Sequence, residues 1–192
     1  MPDREVETIQ DLIFYQYAKI IARSAFAVPN GKVAKSQHYG FIKKTFLQLK
    51  RGKKSWSEII REDRQFAESE KRCAYCGSDI NLNWDHLVPQ SIHINDQCPT
   101  CDRIFGIHNQ VWACRACNSS KGAKGLYEFY RAQFPEDPKF YDLIPPLLEK
   151  KYLKTIYYCH DCAGTLASGG FGYSSGLTVL DIDCVLKIER EF

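Results

Sequence analysis

The sequence has no apolar run near the roughly 20 residues that a membrane-spanning helix needs, so no membrane partner is expected. Its first ten residues, MPDREVETIQ, are acidic and polar, unlike a secretory signal peptide. The cytoplasm is therefore the expected compartment. Charge of one sign is scarce as well: 26 basic against 23 acidic residues leave a net +3, too little to point to a partner. The glycine- and serine-rich stretch 168–176 lacks the GxxxxGK[ST] pattern and a preceding strand, so it is not read as a phosphate loop. With 44% hydrophobic and 26% charged residues the chain is not a disordered one. Its 192 residues suit one compact domain, or one domain with an appendage.

Cysteine is what the chain has in excess. Eight of its nine cysteines form Cys-x-x-Cys pairs: Cys73/Cys76, Cys98/Cys101, Cys114/Cys117 and Cys159/Cys162. Cys184 stands alone and is expected as a buried free thiol. In a reducing compartment such pairs read as metal ligands rather than disulfides. Four pairs suffice for two tetrahedral zinc sites. A redox dithiol would need a thioredoxin-like βαβ pattern, which is missing around Cys98 and Cys159.

Apolar spacing predicts a helix over 3–26, with Val6, Ile9, Ile13, Tyr17 and Ile20 on one face. A second is expected over 36–50, carrying Phe41, Thr45 and Leu49. A third opens at a capping box, Ser55 with Glu58, and runs to about residue 70. Between Lys32 and Lys54 there are eight basic residues and no acid, with Tyr39, Phe41 and Phe46 interleaved. Lys43, Lys44, Lys50, Arg51, Lys53 and Lys54 of this stretch are candidate phosphate-backbone contacts. Further on, 82–89 reads as a strand stopped by Pro89, 111–113 as a second strand, and 115–121 as a helix start. Residues 126–134 and 146–158 are helical again, the latter with Leu148, Tyr152 and Ile156 as its stripe.

One zinc joining Cys73 and Cys76 to Cys114 and Cys117 would pin the two strands to the helix start. It would also fix where Asn118, next to Cys117, points. Two short strands and one helix bury little apolar area, so such a staple is needed. Phosphodiester cleavage needs a base for water and a cation for the developing charge. His86 suits the base, because an imidazole can be neutral near pH 7. Asp85 and Asn118 offer hard oxygen ligands, which suit Mg²⁺ rather than a second zinc. Asn109 suits a role in holding the loop or the histidine backbone.

The segments CAYCG at 73–77, WDHLVP at 84–89 and HNQVWACRACNSSKG at 108–122 resemble an HNH endonuclease. The resemblance covers about 50 residues, a quarter of the chain. It implies an α+β fold: a mainly helical chain around a small ββα-metal, treble-clef-like core with a four-cysteine zinc frame. It implies that His86 is the general base and that Asp85 and Asn118 hold the catalytic Mg²⁺ or Mn²⁺. Asn109 would be the motif's central, catalytic asparagine, and Lys121 a phosphate contact. Asn118 stands where the family name has His, a common replacement.

The departure from the simple pattern is the long 87–108 loop with its own Cys98/Cys101 pair. If the first and third pairs share one zinc, Cys98, Cys101, Cys159 and Cys162 are left for a second. That zinc would clamp the C-terminal region onto the catalytic loop. Pairing the four in sequence, first with second and third with fourth, is the rival arrangement. Three parts are thus expected: a helical region over 1–70, the nuclease core over 71–130, and a C-terminal helical or irregular region over 131–192. DNA is the expected partner, cut as both strands by a homodimer or as one by a monomer. The rival function is a zinc module that binds nucleic acid or protein without cutting. An intact Asp85, His86 and Asn118 argue against that.

Overall fold

The computed structural model describes residues 4–26, 35–56, 59–89, 106–169 and 180. In chain order the elements are α1 (Ile9–Ala25), α2 (Lys35–Lys50), α3 (Ile59–Glu68), β1 (Leu82–His86), β2 (Gln110–Cys114), α4 (Arg115–Lys121), α5 (Leu126–Gln133) and α6 (Pro146–Cys162). Single 3₁₀ turns at Ile107–Asn109 and Phe140–Leu143 precede β2 and α6. The described residues are therefore mostly helical, with one small two-stranded antiparallel sheet. None of their helices is long and apolar enough to cross a membrane.

The predicted helices form, with shifted ends. α1 starts at Ile9 rather than residue 3, because Thr8 and Asp11 make a capping box. The Thr8 hydroxyl accepts from the Asp11 N–H at 3.1 Å, and Asp11 Oδ2 accepts from the Thr8 N–H at 3.3 Å. The next orphan amides of this helix are met by distant chain: Ile9 N–H donates to Ser168 O and Gln10 N–H to Leu166 O, both at 3.0 Å. Gly169 allows that approach, since a Cβ there would lie 2.7 Å from Glu7 O. α3 spans Ile59–Glu68, and Glu58 of the expected capping box lies outside the described residues. α6 continues to Cys162, so its last turn carries the fourth cysteine pair.

α1 packs against α2 and α6, and α3 against α6. The predicted stripe of α1 is buried throughout, as are Leu148, Tyr152 and Ile156 of α6. On α2 the inward face is Ile42, Thr45, Phe46 and Leu49, while Phe41 is only half-buried, edge-on to Phe26. Trp56 sits among Phe14, Tyr17 and Tyr157, with ring centroids 4.7 to 5.6 Å apart. Two buried polar ties cross this helical body. Glu149 of α6 accepts from Gln16 Nε2 at 2.7 Å and Tyr127 OH at 3.0 Å, and pairs with Arg23. Lys154 of α6 pairs with Glu62 of α3, both almost fully buried. The N-terminal and C-terminal helices thus share one core.

Candidate metal centre

β1 and β2 pair antiparallel with Leu82 opposite Cys114, Trp84 opposite Trp112 and His86 opposite Gln110. This register brings the two ends of the cysteine motif together. Cys73 and Cys76 lie in a tight turn closed by Gly77 N–H to Cys73 O at 2.8 Å. Gly77 has φ +78°, a conformation glycine adopts without a Cβ penalty. Ala74 N–H in the same turn donates to Trp112 O at 2.8 Å, fastening the turn to β2. Cys114 ends β2 and caps α4, its Sγ accepting from the Cys117 N–H at 3.5 Å.

The four sulfurs of Cys73, Cys76, Cys114 and Cys117 lie within 4.8 Å of one another, and all four are thiols. Zn–S bonds of about 2.3 Å in a tetrahedron put sulfurs about 3.8 Å apart. Cys76 and Cys114 stand at 3.8 Å. The donor set and spacing therefore fit a metal such as zinc. The Cys117 N–H lowers the Cys114 thiol to about 7, while burial pushes the Cys76 and Cys117 thiols up. One thiolate is thus favoured before any metal arrives.

The Asp-His pair sits one strand away from this cluster. Asp85 is buried, and its Oδ2 accepts from Tyr75 OH at 2.6 Å. Tyr75 lies between the two cysteines of the first pair, so the metal turn itself aims the carboxylate. Burial, with the Asp85 charge beside it, holds the Tyr75 phenol well above its usual range, so it remains a donor. The sequence reading missed Tyr75; its place inside a Cys-x-x-Cys spacer was the available signal. Asn118, in α4, directs Nδ2 at Trp84 O across 3.5 Å. That puts the asparagine beside the strand bearing Asp85 and leaves its Oδ1 as an acceptor.

His86 ends β1 and is half-buried. Burial lowers its imidazole below the ordinary 6.5, against the opposing Asp85 charge. Gln110 Nε2 lies 3.3 Å from His86 Nε2, and an amide N–H donated there favours the neutral ring. Asn109 is fully buried rather than open to a substrate. Its Oδ1 accepts from Val88 N–H at 2.8 Å and its Nδ2 donates to Val88 O at 2.6 Å. Its carbonyl also takes the Leu87 N–H at 2.9 Å. Asn109 therefore positions the chain that leaves His86.

Lys121 is engaged in a similar way. It is fully buried at the end of α4, where its Nζ donates to His86 O at 2.7 Å and lies 3.5 Å from Asp85 Oδ2. A buried ammonium so engaged is a strut between helix and strand. Burial lowers its affinity for the proton, with Asp85 opposing.

The basic stretch divides in two. Lys50 pairs with Asp11 at 2.9 Å and donates to Glu5 O at 2.8 Å, and Lys43 lies 3.4 Å from Glu5. These two fasten α2 to the start of α1; the Asp11 hydrogen bond raises the Lys50 pKa. Lys44, Arg51, Lys53 and Lys54 are exposed. Lys44, Arg51 and Lys53, with Lys43, line a groove of 470 Å³.

Of the remaining cysteines, Cys159 is a buried thiol and Cys162 is disulfide-bonded. Cys98, Cys101 and Cys184 lie outside the described residues. Next to Cys159, His160 is fully buried, with Nδ1 2.8 Å from Thr165 Oγ1.

Compared with protein-family models, with curated proteins and with solved structures, the chain matches none.

Proposed function

We propose that the chain is a metal-dependent endonuclease of the HNH type that hydrolyses phosphodiester bonds of DNA. One observation carries the reading. Asp85 and His86 on β1 and Asn118 on α4 are gathered by the strand–strand–helix unit whose ends meet at four clustered cysteines. The spacing of those cysteines suits a structural Zn²⁺. Asp85 and Asn118 are the oxygen donors for Mg²⁺ or Mn²⁺; Tyr75 and Lys121 both address Asp85 Oδ2, which leaves Oδ1 for the cation. Such a cation supplies charge stabilisation for the phosphate under attack and the leaving oxygen. His86, neutral because burial depresses its pKa, takes the proton from the attacking water. Lys121 holds the His86 carbonyl, and Asn109 the Leu87 and Val88 backbone that follows it. The exposed cations Lys44, Arg51, Lys53 and Lys54 serve the DNA backbone, and Lys43 and Lys50 the fold. Restriction or defence is the biological role proposed, in the cytoplasm, as a monomer that nicks or a homodimer that cuts both strands.

A second reading has one observation in its favour. The Lys121 ammonium already lies 3.5 Å from the Asp85 carboxylate, where it repels a second cation. A zinc module that binds nucleic acid without cutting would keep such a pair. Supercoiled plasmid incubated with and without Mg²⁺, using wild type and His86→Ala, separates the two readings. The nuclease reading expects Mg²⁺-dependent nicking or linearisation that the variant lacks. Equal cutting by His86→Ala would remove His86 as the base. Plasmid retardation without cutting would favour the binding module.

A further inference from the structure

The sheet has an aromatic pair that the Asp85 network does not use. Side chains alternate along a strand, so Trp84 and His86 stand on one face of β1, about 6.6 Å apart at 3.3 Å per residue. Opposite them on β2 are Trp112 and Gln110. Trp84 and Trp112 stack with centroids 3.9 Å apart and planes at 22°. Lys71 Nζ lies 5.1 Å from the centroid of the Trp112 ring. Trp84 itself is 45% exposed, a large share for a tryptophan. A cross-strand pair of this kind stabilises a hairpin by itself. A purely structural pair, however, does not need an open ring beside the imidazole.

We infer that Trp84, backed by Trp112, is a stacking platform for an unpaired nucleobase adjacent to the phosphate served by His86. The choice of ligand rests on the nucleic-acid reading above. A nucleobase offers a flat π-face to Trp84, and its phosphates carry the negative charge that Lys71 complements. The span from Trp84 to His86 is on the scale of one nucleotide. A base held there would set which phosphate meets the imidazole. Intact duplex keeps its bases stacked on one another, so the platform selects single-stranded, frayed or flipped nucleotides. Trp84 is thus a specificity and positioning residue, one that touches substrate without taking part in proton transfer.

Tryptophan emission gives a test that does not involve hydrolysis. The chain has three tryptophans, and the third, Trp56, is packed among rings of the helical body. The zinc-loaded His86→Ala protein is titrated with a short single-stranded oligodeoxynucleotide, with an abasic strand of equal length, and with the matching blunt duplex. The expected result is quenching by the base-bearing strand, with little from the abasic strand or the duplex. In the same background Trp84→Leu should weaken affinity by on the order of ten- to a hundredfold, and Trp84→Phe should recover most of it. Zinc content should stay that of the parent in both, which separates lost stacking from lost folding. Equal quenching by abasic and base-bearing strands would overturn the platform, because the contact would then be to phosphate alone. So would wild-type affinity in a folded Trp84→Leu. Emission that changes with protein concentration and not with oligonucleotide would instead assign the ring to a contact between copies, and overturn it too. If plasmid is never cut but base-dependent quenching persists, the platform stands while the nuclease reading falls.

Discussion

The helical body and the strand–helix unit sit in one chain but are held by different forces. In the body, Ile9, Ile13, Ile20, Phe46, Leu148, Tyr152 and Ile156 are all fully buried across three helices. Each such side chain contributes roughly 1.5–3 kcal/mol by leaving water. The unit from Cys73 to Lys121 has two five-residue strands and a seven-residue helix. Among the described residues its inward apolar side chains are few, chiefly Tyr75, Leu87, Val88, Val111 and Ala113. Four sulfurs stand where a hydrophobic centre would otherwise be. On this comparison the body is expected to fold by itself, and the unit that carries Asp85, His86 and Asn118 is expected to need a metal.

Chelation gives the largest expected effect. A structural zinc contributes roughly 10 kcal/mol or more to a small site of this kind. A strong chelator, or Cys117→Ser, should therefore abolish the near-ultraviolet dichroism of the Trp84–Trp112 stack. The far-ultraviolet helix signal should largely persist, because α1, α2, α3 and α6 hold no ligand of this cluster. Loss of both signals together would show that the two regions fold as one. Loss of neither would show that the cysteines need no metal.

The body has its own point of failure, in the buried pair of Lys154 with Glu62. Removing one partner of such a pair leaves a buried charge uncompensated and costs about 3–5 kcal/mol. Lys154→Ala should lower the urea midpoint accordingly, with zinc content unchanged. Lys154→Met combined with Glu62→Leu should recover most of the loss, since no charge is then left alone. A single variant within about 1 kcal/mol of wild type would mean that water reaches the pair.

The comparison also explains what could be read in the sequence. Helix spacing placed α1, α2, α5 and α6 within a few residues, because apolar burial is what holds them. Their ends were missed where a distant segment decided them, as when residues 166–169 supply acceptors to the start of α1. The first cysteine cluster was legible because ligand spacing is local on each side and the strand pairing only brings the halves together. Side-chain commitments across elements were not legible. Basic residues look alike in a sequence. Lys50 is drawn to Asp11, Lys121 to His86 O and Asp85, and Lys151 to Gln110 O at 2.8 Å, through contacts between segments far apart in the chain. The same blindness hid Tyr75, whose partner is ten residues away across the hairpin.

Tyr75→Phe tests the link between metal turn and carboxylate. The substitution removes the hydroxyl that orients Asp85 and leaves all four cysteines in place. Groups that orient a metal ligand in this way are typically worth 10- to 100-fold in metal affinity or activity. The Mg²⁺ concentration needed for half-maximal cleavage should rise by about that factor, with bound zinc unchanged. An unaltered Mg²⁺ dependence would show that Lys121 alone holds the carboxylate, or that Asp85 is no ligand.

The smallest effect concerns pH. On the proposed nuclease reading the base is the neutral imidazole, and burial sets the His86 pKa below the ordinary 6.5. Cleavage should therefore be at full rate above that value and fall only as pH drops through the lowered one. The acid limb of the rate profile should have its midpoint below 6.5, further left than for a solvent-exposed histidine. Lys121 adds to the downward shift through its charge, while Asp85 opposes it. Lys121→Met removes the first of these, so the midpoint should move upward, by less than one unit. If the midpoint moved downward instead, the strut would be acting through His86 geometry and not through charge. The strand–helix unit would then be governed by the same packing that governs the helical body.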